Sequence, residues 1–116
     1  MIEGVCVNKP PSFYLMELKE LEQRMHAFVA SKGWYDPDSP KEQSPKNLAM
    51  SLCIEAAEVL EHFQWRDTVV DKEGLASELA DVSLYLLQLA SISGIDLEQA
   101  ILDKLALNQT REWPEE

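Results

Sequence analysis

The chain has 116 residues with a formal net charge of −11, of which 46% are apolar and 27% charged. This length corresponds to one domain, and the composition is that of a globular protein rather than a disordered one. The negative net charge argues against extensive binding to a nucleic-acid backbone, because such binding requires clustered Lys and Arg. The sequence shows no secretory signal and no run of about 18 apolar residues, so we expect a cytoplasmic protein that binds no membrane.

The first half of the chain predicts an N-terminal arm and two helices. Residues 1–11 are read as an irregular arm, after which Ser12 can cap a helix that ends at Gly33. A loop rich in Pro, Asp and Ser follows. Ser44 then caps a second helix, with proline at its first position, and this helix runs to about Phe63.

The second half predicts two more helices. One starts near Glu73 and stops at Gly94, and Asp96 caps a last helix that ends before Pro114. Residues 12–113 therefore form one predicted all-α domain of the four-helix-bundle type, followed by an acidic tail at 114–116. The second and third helices are apolar almost all round, so we expect a homodimer or a dimer of dimers to cover them.

The second and third helices each carry a narrow polar stripe among bulky apolar residues. Helical spacing puts four side chains on one face of the second helix: Ser51, Glu55, Glu58 and His62. The same spacing aligns four on the third helix: Glu78, Asp81, Tyr85 and Gln88. Glu61 lies off the first stripe, at its edge.

If these helices pack face to face, their four carboxylates converge without a cation. Such a cluster costs several kcal/mol unless something positive enters, and carboxylate oxygens suit Mg²⁺ or Mn²⁺. Because Mg²⁺ often completes its shell with substrate phosphates, the cluster suggests a phosphate ester as substrate.

Two other interpretations of the stripes remain open. The acids could form a solvated face, although such faces usually mix lysine with glutamate. A ferritin-like di-iron site fits less well, because Asp81 stands where a histidine would be needed.

The motifs resemble the MazG-like all-α nucleoside triphosphate pyrophosphohydrolases. That family carries Glu-x-x-Glu on one helix and Glu-x-x-Asp on the next, here "EAAE" at 55–58 and "ELAD" at 78–81. The surrounding stretches "RMHAFVASKGW", "SPKNLAMSLCIEAAEVLEHFQW" and "DLEQAILDKLALNQTR" are similar to the dCTP pyrophosphatase branch. The similarity covers roughly residues 20 to 111.

The resemblance implies Mg²⁺-dependent hydrolysis between the α and β phosphates of a nucleoside triphosphate, giving a monophosphate and pyrophosphate. The expected substrate is dCTP or a modified deoxynucleotide. The implied catalytic and metal-binding residues are Glu55, Glu58, Glu78 and Asp81. Which of these carboxylates would activate water stays open.

The resemblance also implies a set of substrate-binding side chains. Those at the base and sugar would be His26, Trp34, Trp65 and Tyr85. Lys104 and Asn108, four residues apart on the last helix, would contact the triphosphate. Ordinary packing or surface roles are the alternative for each of these residues.

Two other functions remain open from the sequence. The protein could be a nucleotide-binding or regulatory module that has no turnover. It could also be an acidic helical protein whose stripes contact a basic surface on a partner. A metal site saturated at 100 times its dissociation constant adds about 2.7 kcal/mol to the free energy of unfolding, so thermal shifts with magnesium separate the last hypothesis from the others.

Overall fold

A computed structural model describes residues 17–114 of the chain. Within them the structure consists of four helices: α1 (Leu18–Ser31), α2 (Pro45–Glu61), α3 (Lys72–Ile92) and α4 (Leu97–Thr110). The predicted all-α class is confirmed. The predicted arm, the start of the first helix at Ser12 and the last two residues of the acidic tail lie outside the described residues.

Three helices begin at side-chain caps, which are sequence-local signals. Ser44 accepts a hydrogen bond from the Asn47 N–H, and Asp96 accepts one from the Gln99 N–H, as the sequence predicted. Asp71 caps α3 by accepting from the Gly74 N–H, and the helix therefore begins at Lys72, one residue before its predicted start. Each cap satisfies a donor that the first helical turn cannot pair internally.

The central pair of the fold is α2 and α3, which run antiparallel. His62, just after α2, bonds to Glu78 near the start of α3, while Gln43, just before α2, bonds to Gln88 near its end. The opposite ends of the two helices therefore meet, and their polar stripes face each other along the length of the pair. A groove runs between the two facing stripes, and the loop after α1 closes one end of it.

The core is small and lies between α1, α3 and the loop after α1. Its buried centre is formed by Met25, Val29 and Leu87, packed against Trp34 and Tyr35. The α4 helix contains no buried residue. The Cα radius of gyration is 17.4 Å, against about 13 Å for a compact domain of 100 residues. One copy leaves many large apolar side chains exposed, including Ile54 and Leu60 on α2.

Helix α3 is long and apolar enough, by length and composition, to cross a membrane. The core helix of a soluble protein meets the same test, and this helix carries Glu78 and Asp81 on the stripe that faces α2. The expectation that the protein binds no membrane stays a prediction.

Candidate active site

An acidic cluster lies where α2 crosses the first half of α3. The antiparallel pairing brings Glu55 and Glu58 of α2 to the same face as Glu78 and Asp81 of α3. All four side chains are half-buried. The convergence expected from the two stripes is therefore present in the structure.

Arg66 of the connector after α2 lines a small pocket with Glu58 and Glu78, but no cation among residues 17–114 lowers the pKa of Glu55. Partial burial raises the pKa of Glu55, and the negative charges of Glu58, Asp81 and Glu78 raise it further. Neither helix supplies a cation along this stretch, because the chain has no Lys or Arg from 47 to 65 or from 73 to 103. The cluster therefore favours a positive ligand.

The donor set fits a hard divalent cation. It contains four carboxylates and no thiolate, which suits Mg²⁺ or Mn²⁺ rather than a softer metal. Within residues 17–114, no three His, Cys, Asp or Glu side chains are already drawn together as a ligand set. The convergence of the four carboxylates on the facing helices, and not a preformed cage, thus points to a cation, and the raised pKa of Glu55 agrees with it.

His62 has a definite place beside this cluster. Its Nε2 lies 2.6 Å from Oε2 of Glu78, so it orients one of the four carboxylates. Gly74 permits this approach, because a Cβ there would stand 3.0 Å from Cε1 of His62 and 2.3 Å from Oδ2 of Asp71. The polar stripe predicted a position for His62 but not this partner.

A cavity of about 730 Å³ extends from the acidic cluster along α2 and α3 toward the loop after α1. Asp81 of the cluster forms part of its wall, and so do Trp34 and Tyr85, which the resemblance placed at the base and sugar. The rings of Trp34 and Phe28 are nearly perpendicular, with centroids 5.8 Å apart, and Lys41 Nζ stands 5.0 Å from the Trp34 ring centroid. These contacts fix an aromatic face at the cavity.

His26 is placed differently from Trp34. Its Nδ1 lies 2.5 Å from the Tyr35 hydroxyl, and its Nε2 lies 2.7 Å from Oγ of Ser91. Both ring nitrogens are therefore engaged with other side chains, and His26 supports the loop after α1 from outside the cavity wall. Burial raises the pKa of the Tyr35 hydroxyl, and a hydrogen bond from Gln88 opposes part of that effect.

The other predicted substrate-binding residues are not brought to the cavity within one copy. Trp65 follows α2 with φ of 73° and is 92% exposed. Lys104 is exposed on α4, where Asn108 has a buried Oδ1 without a partner among residues 17–114. Their roles stay predictions.

Sequence reasoning missed several polar residues of the cavity wall. They are Arg24, Lys41, Gln43 and Asn47. Their signal in the sequence is weak, because each lies in a loop or on an ordinary polar helix face. Gln88 was on the predicted stripe, but nothing in the pattern indicated that it is the buried polar residue of this region, at 3% exposure.

Comparisons with known proteins assign the chain to a family. Residues 50–116 match the model of the MazG-like family. Bovine (Bos taurus) dCTP pyrophosphatase 1 is 31% identical over 119 residues, covering 94% of this chain and 68% of that protein. The human (Homo sapiens) protein of the same name is 32% identical over 99 residues, which span 77% of this chain and 55% of that one.

A more distant relative and a solved structure extend this comparison. The dATP/dGTP diphosphohydrolase of Cyanophage S-2L is 31% identical over 80 residues, covering 69% of this chain and 68% of that protein. The crystal structure of a pyrophosphatase from Archaeoglobus fulgidus superimposes with a TM-score of 0.71 at 36% identity, covering 84% of this chain and 93% of that one. The chain belongs to the MazG-like family, as its acidic motifs predicted.

Proposed function

We propose that the protein hydrolyses dCTP or a modified deoxynucleotide, with Mg²⁺, to the monophosphate and pyrophosphate. The observation that carries this proposal is the convergence of four carboxylates on two facing helices that supply no Lys or Arg along this stretch. The raised pKa of Glu55 agrees with it. The coarser assignment, a nucleoside triphosphate pyrophosphohydrolase, is supported by relatives named dCTP pyrophosphatase and dATP/dGTP diphosphohydrolase.

In the proposed complex, the phosphates of the substrate lie at the acidic cluster and its nucleoside lies in the adjoining cavity. Glu55, Glu58, Glu78 and Asp81 would hold Mg²⁺, which supplies charge neutralisation of the phosphates and a lowered pKa of water when it is bound. His62 keeps one oxygen of Glu78 in place. Trp34 offers a flat face to the base, and Tyr85 lies between that end and Asp81 on the cavity wall.

We also propose that the working form is a homodimer or a dimer of dimers. Helix α4 exposes a row of large apolar side chains, including Leu102 at 52% and Leu105 at 54%. Lys104 and Asn108 lie on the same helix. A cytoplasmic location remains our expectation.

A panel of triphosphates tests the proposal. Wild-type protein is incubated with each common and modified deoxynucleoside triphosphate in Mg²⁺, in Mn²⁺ and in chelator, and the products are separated by chromatography. We expect monophosphate and pyrophosphate only when metal is present. Tight binding by calorimetry without any product would support the alternative of a nucleotide-binding or regulatory module.

A further inference from the structure

Gln88 is a buried polar residue on the cavity wall, and its hydrogen bonds fix which way its amide faces. Its Nε2 donates to Oε1 of Gln43 at 2.7 Å and to the Tyr35 hydroxyl at 3.2 Å. Both N–H groups of the amide are thereby used. Its carbonyl oxygen receives no hydrogen bond from residues 17–114.

The orientation of this amide follows from a backbone carbonyl. Nε2 of Gln43 donates to the Lys41 carbonyl at 2.7 Å, and a carbonyl can only accept. Gln43 must therefore turn its own Oε1 toward Gln88, and only Nε2 of Gln88 can donate to it. The oxygen and nitrogen of a side-chain amide have nearly the same shape, and these hydrogen bonds determine which position each atom of the Gln88 amide takes.

The other side of the network agrees with this orientation. The Tyr35 hydroxyl accepts from Gln88, which leaves its single proton free to donate to Nδ1 of His26. In the neutral imidazole, Nε2 then carries the proton and donates to Oγ of Ser91. The chain of hydrogen bonds is consistent from the Lys41 carbonyl to Ser91, and it leaves Gln88 with an acceptor for a ligand.

The position of Gln88 suits the base of a bound nucleotide. Gln88 lies seven residues after Asp81 on the same face of α3, which is about 10 Å along the helix axis. Tyr85 lies between them, and Trp34 lines the same cavity. With the phosphates at the acidic cluster, a nucleoside that extends along the cavity brings its base toward Gln88 and the indole.

We propose that Gln88 determines base specificity, because its carbonyl oxygen accepts a hydrogen bond from an exocyclic amino group of the nucleobase. The inference rests on the proposed function and names the substrate class of that site: bases with an amino group, such as cytosine, over their oxo counterparts, such as uracil. The 4-oxo group of uracil would instead place its oxygen, an acceptor, against the carbonyl oxygen of Gln88, which is also an acceptor. Neither buried oxygen would then receive a hydrogen bond from the other. Sites built to bond a substrate N–H discriminate strongly against analogues that lack it.

The test compares dCTP with dUTP, which differ at that group. We expect wild-type kcat/KM to favour dCTP by about 10-fold or more. In Gln88→Met the ratio should fall toward one, mainly through loss of dCTP efficiency. Gln23→Met, an exposed glutamine on α1, is the matched control and should leave the ratio unchanged. Taking a ratio removes general losses of folding or activity.

A second variant leaves Gln88 itself intact. Gln43→Met removes the acceptor that fixes the amide, so Gln88 can turn an N–H toward the cavity and the ratio should move toward dUTP. A wild-type ratio near one, or an unchanged ratio in Gln88→Met, would overturn the inference while hydrolysis itself stands. If no triphosphate is hydrolysed, the proposed function fails, and the Kd ratio for dCTP and dUTP with Mg²⁺ replaces the kinetic one. Equal Kd values, or no binding of either nucleotide, would then overturn the inference as well.

Discussion

Nε2 of His62 lies 2.6 Å from Oε2 of Glu78, joining the residue that follows α2 to one of the two acids that α3 contributes to the acidic cluster. This hydrogen bond holds one member of the acidic cluster in place without occupying its other oxygen. Replacing a partner that orients a metal ligand typically lowers metal affinity by about 10- to 100-fold.

His62→Ala should therefore weaken the apparent affinity for Mg²⁺ by about 10- to 100-fold. The titration of pyrophosphate release against Mg²⁺ concentration measures this change. Gln64→Ala, at an uncharged and exposed position two residues later, is the control and should leave the midpoint near that of wild type. A His62→Ala titration that coincides with the wild-type curve would show that the hydrogen bond has no part in metal binding.

Replacing Glu55 should raise the free energy of unfolding without metal and lower it with metal. Glu55→Gln removes a carboxylate whose pKa is raised by burial and by Glu58, Asp81 and Glu78, so the metal-free variant should be more stable than wild type at pH 7. With saturating Mg²⁺ the order should reverse, because the variant loses a ligand. Urea unfolding in chelator and in Mg²⁺ measures the two free energies of unfolding. A variant less stable than wild type in both media would contradict the predicted reversal.

The same residue sets a pH dependence. Because the folded-state pKa of Glu55 lies above the ordinary value of 4.5, the folded state binds a proton more tightly than the unfolded state. The contribution of Glu55 to metal-free stability is thus fully present below pH 4.5 and is lost as the pH rises through its folded-state pKa. The difference in unfolding free energy between Glu55→Gln and wild type should grow over that range, and chemical denaturation at a series of pH values measures it.

Trp34 should contribute to substrate binding through stacking. Trp34→Ala is expected to raise KM for the triphosphate by about 10-fold or more, since stacking of a base on an aromatic ring is worth about 1–3 kcal/mol. Steady-state kinetics test this, with Trp113→Ala as control because Trp113 packs under Arg111 and away from the cavity. An equal effect of both substitutions would remove the reason to place the base at Trp34.

The apolar face of α4 should mediate assembly. Light scattering of the wild type should give a mass that is a multiple of 13.2 kDa, and Leu105→Lys should shift it toward the single chain. Glu98→Lys introduces the same side chain on the same helix and should leave the mass unchanged. A wild-type mass of one chain at all concentrations would contradict the proposed homo-oligomer.

The parts of the fold that depend on local chemistry were predictable from the sequence. Ser44 and Asp96 were identified as caps because a short polar side chain before an apolar period has a specific role at a helix start. The facing stripes were predictable because helical spacing aligns Glu55 with Glu58 and Glu78 with Asp81. In both cases the determining residues lie within one or two turns of each other.

The polar network around Gln88 was not predictable by the same reasoning. Gln43 and Gln88 are 45 residues apart, and His26 and Ser91 are 65 apart, so no local spacing relates them. His26 was expected at the base, yet the structure engages both of its ring nitrogens elsewhere. Trp65 was also expected at the base, but it is 92% exposed after α2 and does not line the cavity, so its role stays a prediction.

The most direct test of the central claim is the product of dCTP turnover by wild type and by Glu58→Gln. With Mg²⁺, wild type should release dCMP and pyrophosphate in equal amounts. Glu58→Gln should still fold, by circular dichroism, but form neither product at a measurable rate. The formation of dCDP and phosphate, or unchanged turnover in Glu58→Gln, would contradict the assignment of the acidic cluster as the catalytic centre.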